Sequence, residues 1–241
     1  MKRVNFWMKR SGYIVSCVLA LLMCSCLFSC TEELSEDLKA TDVVFQKYRV
    51  EFSSTQDTWV YARFVKDKDK AFNELKLTGE QQIMANDKSM AYHYVNDKAP
   101  IDYSYSLKLG KVDQVDFTFQ RAKNKQYKNT ALKSSVLPVA IPANLAAIQN
   151  NVAWKWEGDA LKTGEKIEVT LETEKDNYAI YYGSLSDDGR EVTFTNVPKG
   201  DYVLTLRRIV VSETQDNDLP AKGEMTICYY DKRKISVKES V

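Results

Sequence analysis

Apolar and polar residues alternate along most of this chain, and this period of two constrains the fold more than any other feature of the sequence. Residues 101–109, 115–119, 167–171 and 202–206 each carry an aromatic or aliphatic residue at every second position. Because alternate side chains of a β-strand point to opposite faces of a sheet, the pattern predicts half-buried strands. No stretch of comparable length has the helical period, so the predicted fold class is all-β.

Turn-forming clusters separate these runs at intervals typical of β-sandwiches. The pattern predicts about seven strands before Pro142 and about six or seven after Asn151, and a sandwich domain needs about seven. We therefore predict two tandem immunoglobulin-like β-sandwich domains, at residues 42–142 and 151–241. Tyr103 and Tyr105 continue the apolar face of residues 101–109, so both are expected in the core of the first domain.

The first 29 residues have the three parts of a secretory signal sequence. Four basic residues stand within the first ten, residues 13–23 are apolar, and Ser29 supplies a small residue before Cys30. This arrangement resembles the lipobox of bacterial lipoproteins, in which a diacylglyceryl group is placed on the cysteine thiol and the preceding peptide is removed. The resemblance implies a palmitate-type lipid anchor on Cys30. Cys26 is a second candidate for the modified cysteine, and an uncleaved transmembrane segment is a further alternative.

An acidic, polar segment at residues 31–37 follows Cys30 and resembles the surface-export signal of lipoproteins in Bacteroidota-type bacteria. The same residues also suit a plain solvated tether, which would occupy residues 30–41 together with Cys30. The whole chain resembles the short two-domain lipoproteins of Bacteroides-type bacteria and, more distantly, lipid-anchored fimbrial accessory proteins. These resemblances imply an outer-membrane protein on the cell surface, with the periplasmic face as the alternative.

The segment at residues 194–204 resembles the turn and following strand of immunoglobulin-like and prealbumin-like bacterial surface modules. In such folds a tyrosine near the start of the strand hydrogen-bonds its hydroxyl to the preceding corner. The resemblance implies that structural role for Tyr202.

Charge and cysteine content exclude some classes of function. Without residues 1–29 the chain has 30 Lys and Arg against 33 Asp and Glu, a net charge of −3. Nucleic-acid binding needs a concentrated basic face, so no nucleic-acid partner is expected. Cys228 would be the one free cysteine left after processing and lipidation, so no intrachain disulfide is expected.

Signals for catalysis are weak, and we predict no enzymatic activity, metal or cofactor. His93 is the only histidine, and no nucleophile elbow, phosphate-binding loop or zinc motif occurs. Cys228 lies in an apolar, aromatic run, where a buried thiol is the expected state. The acidic turns at residues 187–189 and 216–218 could offer oxygen ligands to Ca²⁺, but their composition is that of ordinary turns.

Two groups of residues are candidates for binding. The hairpin region after residue 120 is rich in basic residues that could meet an acidic glycan or the carboxylates of a protein: Arg121, Lys123, Lys125 and Lys128. Trp59 and Tyr61 lie on the opposite side of a predicted strand from Val60 and Ala62, so they are a candidate aromatic platform.

Three functions are compatible with these features of the sequence. The favoured prediction is a non-catalytic, lipid-anchored module for protein binding, adhesion or assembly. A lipid-anchored glycan-binding module is the first alternative. A hydrolase with a pair of carboxylates is the second.

Overall fold

The computed structural model describes residues 33–35, 38–39, 42–66, 74–93, 103–173 and 179–238. Cys30 and the predicted signal sequence at residues 1–29 lie outside the described residues, so cleavage and lipidation stay predictions. Within the described ranges, no helix combines the length and the hydrophobicity that a membrane span requires.

The described part of the chain is built from β-strands, which confirms the all-β prediction. A short 3-10 turn lies at Lys133–Ser135. The strands are β1 (Glu33–Leu34), β2 (Phe45–Phe52), β3 (Trp59–Val65), β4 (Leu75–Lys76), β5 (Gln82–Ala85), β6 (Lys88–Ser89), β7 (Ala91–Tyr92), β8 (Tyr105–Lys108), β9 (Gln114–Ala122), β10 (Lys125–Leu132), β11 (Val139–Ala140), β12 (Ala147–Gln149), β13 (Trp154–Lys155), β14 (Glu157–Gly158), β15 (Glu165–Thr173), β16 (Ile180–Tyr182), β17 (Ser184–Leu185), β18 (Glu191–Thr193), β19 (Gly200–Glu213) and β20 (Gly223–Lys238).

A nine-stranded central sheet dominates the fold. Its strand order is β16-β15-β19-β20-β2-β3-β8-β7, and β12 pairs with the end of β20. Strands β19 and β20 form a long antiparallel hairpin whose register runs from Gly200 opposite Val237 to Glu213 opposite Glu224. Smaller sheets have the orders β10-β9-β5-β6 and β13-β18-β17.

The central sheet contains strands from both predicted domains. Strand β2 pairs with β20 in parallel, from Gln46 opposite Gly223 to Phe52 opposite Tyr229. Parallel neighbouring strands need a crossover connection, and here the whole chain between β2 and β20 forms it. The division at residues 42–142 and 151–241 stays a prediction, but the two parts share one continuous sheet.

One face of the central sheet carries the hydrophobic core. Tyr48 of β2 stacks on Phe117 of β9 with ring centroids 4.6 Å apart, and Phe64 of β3 lies 4.3 Å from Phe119. These contacts pack the four-stranded sheet on the central one, as in a β-sandwich. Phe194, which follows β18, belongs to the same buried cluster.

Burial follows the alternation that the sequence predicts. Val115, Phe117 and Phe119 of β9 are buried. The apolar positions of the other two runs are buried as well: Ile167, Val169, Leu171, Tyr202, Leu204 and Leu206. At full burial each such side chain contributes about 1.5–3 kcal/mol to folding. The period of two therefore located the core-facing positions of these strands.

Candidate functional site

The face of the central sheet that points away from the core carries charged and aromatic side chains at neighbouring positions. Register places Arg49 of β2 opposite Tyr61 of β3, and Glu51 opposite Trp59. Paired residues in adjacent strands lie on the same face of a sheet. The following residues form what we call the charged-aromatic face: Lys47, Arg49, Glu51, Trp59, Tyr61, Tyr103, Glu168, Arg207, Glu224, Thr226, Cys228 and Tyr230.

A chain of ion pairs crosses this face. Arg49 donates from Nη2 and Nε to the Glu51 Oε1 atom, at 2.6 and 2.9 Å. Arg207 of β19 places its Nε atom 3.3 Å from the same oxygen and donates from Nη1 to Glu168 at 3.1 Å. One carboxylate therefore holds two guanidinium groups from separate strands in fixed positions.

Glu51 is buried, and its charge depends on these partners. Burial acts to raise the pKa of the Glu51 carboxyl, but Arg207 and Arg49 outweigh it and hold the pKa below its ordinary value. The Glu51 and Arg49 side chains are only 8% and 14% exposed. Loss of Glu51 would leave Arg49 without its carboxylate partner in a poorly solvated place.

Aromatic rings lie next to the ion pairs. Trp59 and Tyr61 are nearly parallel, with ring planes 13° apart and centroids separated by 6.3 Å, and Tyr103 lies 5.9 Å from Tyr61. The Lys108 ammonium is 5.9 Å from the Trp59 ring, and that of Lys47 is 5.3 Å from Tyr103. The rings and cations are close enough for cation–π attraction.

Exposure differs between the two residues of the predicted platform. Tyr61 is 9% exposed, whereas Trp59 is half-buried, so the pair offers one accessible ring and one largely covered ring. Burial raises the pKa of the Tyr61 hydroxyl, and the charge of Glu51 adds to this effect. Their role in binding stays a prediction, with Trp59 as the more accessible member.

Cys228 lies on this face beside Glu51 and is fully buried. Burial raises the pKa of its thiol to about 12, although Arg49 acts in the opposite direction. The neutral thiol is then the favoured form at physiological pH, and a thiol is a poor nucleophile. Its small size suits the crowded position next to the Glu51 carboxylate.

The four predicted basic residues lie on the β9–β10 hairpin but do not form one free cluster. Arg121 is buried and pairs with Asp218, and the Lys125 ammonium donates to the same carboxylate at 2.8 Å. Lys123 and Lys128 have exposed side chains. The hairpin therefore uses two of the four cations to hold the loop between β19 and β20.

Asp218 is the acceptor at the centre of this contact. Besides the two cations, the Val44 N–H donates to its Oδ2 at 3.0 Å and the Tyr127 hydroxyl donates to its Oδ1 at 2.6 Å. A buried carboxylate is tolerated when charged and neutral donors surround it. The sequence showed Asp218 only as part of an acidic turn, because its partners are far away along the chain.

The acidic turn at residues 216–218 also covers an edge of the four-stranded sheet. The Lys128 N–H of edge strand β10 donates to Asp216 Oδ2 at 2.9 Å, and the Thr130 N–H donates to Gln215 Oε1 at 2.6 Å. These donors would otherwise be open to pairing with another chain. Within the described ranges, no group of three or more His, Cys, Asp or Glu residues is arranged to hold a metal ion.

Tyr202 and His93 have local structural contacts. The Tyr202 hydroxyl donates to the carbonyl of Pro198 at 2.8 Å, which is the bond back to the corner that the sequence pattern implies. The backbone N–H of His93 donates to Ser104 at 2.7 Å, next to the end of β7.

The buried ion pairs of the charged-aromatic face were missed by the sequence analysis. Arg49 and Glu51 are two residues apart, a spacing that places them on one strand face. Arg207 comes from a strand more than 150 residues later, and no local signal connects it to Glu51. A charged residue on the polar side of an alternating strand is normally exposed, so the sequence alone favoured solvated side chains here.

No family model, curated protein or solved structure matches this chain. The functional assignment therefore depends on the geometry and on the signals in the sequence.

Proposed function

We propose that this chain is a lipid-anchored envelope lipoprotein that binds a protein partner in adhesion or assembly, without catalysis. The observation that supports the binding role is the composition of the charged-aromatic face. Trp is among the residues that dominate the energetics of protein interfaces, and the partly exposed Trp59 lies on this face beside the exposed Lys108.

Order within the face also favours binding. The Glu51 carboxylate holds Arg49 and Arg207 in place before any partner arrives. An interface built from side chains that are already ordered loses less conformational entropy on association. Since Tyr61 is largely covered, the face offers one open ring rather than two, which favours a protein over a sugar stacked on both rings.

The anchor and the cellular location belong to the same proposal. Acylation of Cys30 would hold the chain at the outer membrane, because two or more acyl chains give stable membrane attachment. The acidic segment at residues 31–37 supports a position on the cell surface, with the periplasmic face as the alternative. Protease treatment of intact cells distinguishes the two orientations.

Site-specific photo-crosslinking in intact cells tests the binding role. A photoreactive amino acid replaces Lys108, whose side chain is exposed and lies beside Trp59. The matched control position is Lys162, an exposed residue before β15. The proposal predicts a discrete crosslinked protein from position 108 that is lost in Trp59→Ala and is not formed from position 162. The same products from both positions, or products insensitive to Trp59→Ala, would contradict it.

A further inference from the structure

A groove of about 630 Å³ lies beside β13 and β14, and none of its lining residues belongs to the charged-aromatic face. Pro142 and Leu145 supply apolar surface, and Trp154 and Trp156 supply aromatic surface. The volume is within the range of about 300–1,000 Å³ that is usual for small-ligand sites.

The aromatic base of the groove is held by several contacts. Trp156 is 1% exposed, and its indole N–H donates to the Gly189 carbonyl at 2.8 Å. The Arg190 guanidinium lies 4.2 Å from the Trp156 ring and donates to Gly158 at 2.9 Å. A site with this support is formed before a ligand binds, which reduces the entropy lost on binding.

Trp154 is the less buried of the two indoles that line the groove. It is half-buried, and its indole N–H has no acceptor among the described residues. A sheltered Trp N–H normally has a partner, because the unpaired donor costs free energy. The N–H itself is buried, so what Trp154 brings to the groove is a flat apolar ring.

Polar side chains of complementary type also line the groove. Asn144, Lys155 and Glu157 are exposed and line the same groove. An amide donates and accepts hydrogen bonds, an ammonium donates and a carboxylate accepts. A pyranose ring needs this combination, since it has an apolar C–H face for stacking and hydroxyl groups around its edge that both donate and accept.

We propose that this groove binds a pyranose sugar of a glycan, stacked on Trp154 and hydrogen-bonded by Asn144 and Glu157. The site is additional to the proposed protein-binding face and uses different residues. A peptide would need a long open strand edge or a continuous apolar groove, whereas β13 has only two residues and the rim is polar.

A glycan array tests the proposal with the full chain extracted in detergent, probed against neutral and uronate-containing oligosaccharides. The strongest saccharide is then titrated against the variants by isothermal titration calorimetry, which does not depend on the tryptophan that one variant removes. We expect Trp154→Ala to weaken binding about tenfold or more, and Asn144→Ala and Glu157→Gln to weaken it about threefold to tenfold. The last two replace exposed side chains, so they keep the test valid if Trp154→Ala fails to fold.

Trp59→Ala is the matched control, because it removes an indole from the charged-aromatic face and leaves the groove intact. Binding equal to that of the unchanged protein is expected for this variant. The proposal is overturned if no saccharide on the array binds, or if Asn144→Ala and Glu157→Gln bind as well as the unchanged protein. Loss of binding in Trp59→Ala alone would also overturn it, because the sugar would then bind at the charged-aromatic face. None of these results depends on the protein partner proposed above.

Discussion

Asp218 and Arg121 form an ion pair in which both side chains are buried. Arg121 lies on β9 at the middle of the chain, and Asp218 lies much later, in the loop between β19 and β20. The pair therefore ties the four-stranded sheet to the long hairpin of the central sheet. Lys125 and Tyr127 of β10 donate to the same carboxylate and reinforce the connection.

Asp218→Asn should lower the free energy of unfolding by about 3 kcal/mol or more, because the neutral amide leaves the buried Arg121 without a counter-charge. Urea denaturation at neutral pH measures the change. Asp187→Asn is the control, since Asp187 is exposed in a turn and its replacement should change stability by no more than about 0.5 kcal/mol. Equal stabilities of the two variants would show that the Asp218 contact contributes little.

Glu51 should make the free energy of unfolding fall as the pH is lowered through the acidic range. The pKa of its carboxyl is lowered in the folded state, because Arg207 and Arg49 outweigh burial, so its contribution is complete above the ordinary pKa of 4.5. As the pH falls below that value, the unfolded state binds a proton before the folded state does. The contribution is then lost progressively until the pH reaches the folded-state pKa.

Glu51→Gln should therefore be less stable than the unchanged protein by about 3–5 kcal/mol at pH 7, with a smaller difference at pH 3. Urea denaturation of both proteins at several pH values between 7 and 3 gives this comparison. A difference that stays constant across the range would contradict the assigned pKa direction.

Tyr202→Phe should lower the free energy of unfolding by about 1 kcal/mol, because it leaves the Pro198 carbonyl without its hydrogen-bond donor. Thermal or urea unfolding measures this loss. Tyr182→Phe is the matched control, since Tyr182 is 68% exposed and its hydroxyl can bond to water in both the folded and the unfolded state. The role of the corner hydrogen bond would be refuted if both substitutions had the same effect.

Gly223 should not tolerate a side chain. A Cβ atom there would lie 2.3 Å from Thr214 Oγ1 and 2.9 Å from the backbone oxygen of Gln46, where β20 begins to pair with β2. Gly223→Ala should destabilise the protein by about 1–3 kcal/mol. Gly110→Ala is the control, since nothing lies within 4 Å of its added Cβ. Urea denaturation should show the loss of stability in Gly223→Ala and not in Gly110→Ala.

Local alternation predicted most of the core positions, but it failed where the backbone is irregular. Tyr103 and Tyr105 were expected on one core face because they are two residues apart. In the structure both side chains are buried, but they lie on different faces: β8 begins at Tyr105, which packs against Phe64 in the core, while Tyr103 packs against Tyr61 on the charged-aromatic face. The bend at Ser104 breaks the period, and the polar Ser-Tyr-Ser run carries no distinctive signal for it.

Long-range pairing was the part of the fold that the sequence could not supply. The parallel contact of β2 with β20 joins residues about 177 positions apart, as in Gln46 and Gly223. Neither strand contains a local feature that selects the other. The same separation explains why the candidate residues Trp59 and Tyr61 were identified from their own strand, whereas Arg207 was not.

Intact-mass and peptide mass spectrometry of the membrane-extracted protein tests the central claim, attachment by lipid at Cys30, most directly. The account predicts a mature chain that begins at Cys30, carries acyl chains on that residue and lacks residues 1–29. Cys30→Ser is the control and should remain unprocessed and unacylated. A chain that keeps residues 1–29, or one whose Cys30 carries no fatty acid, would contradict the account.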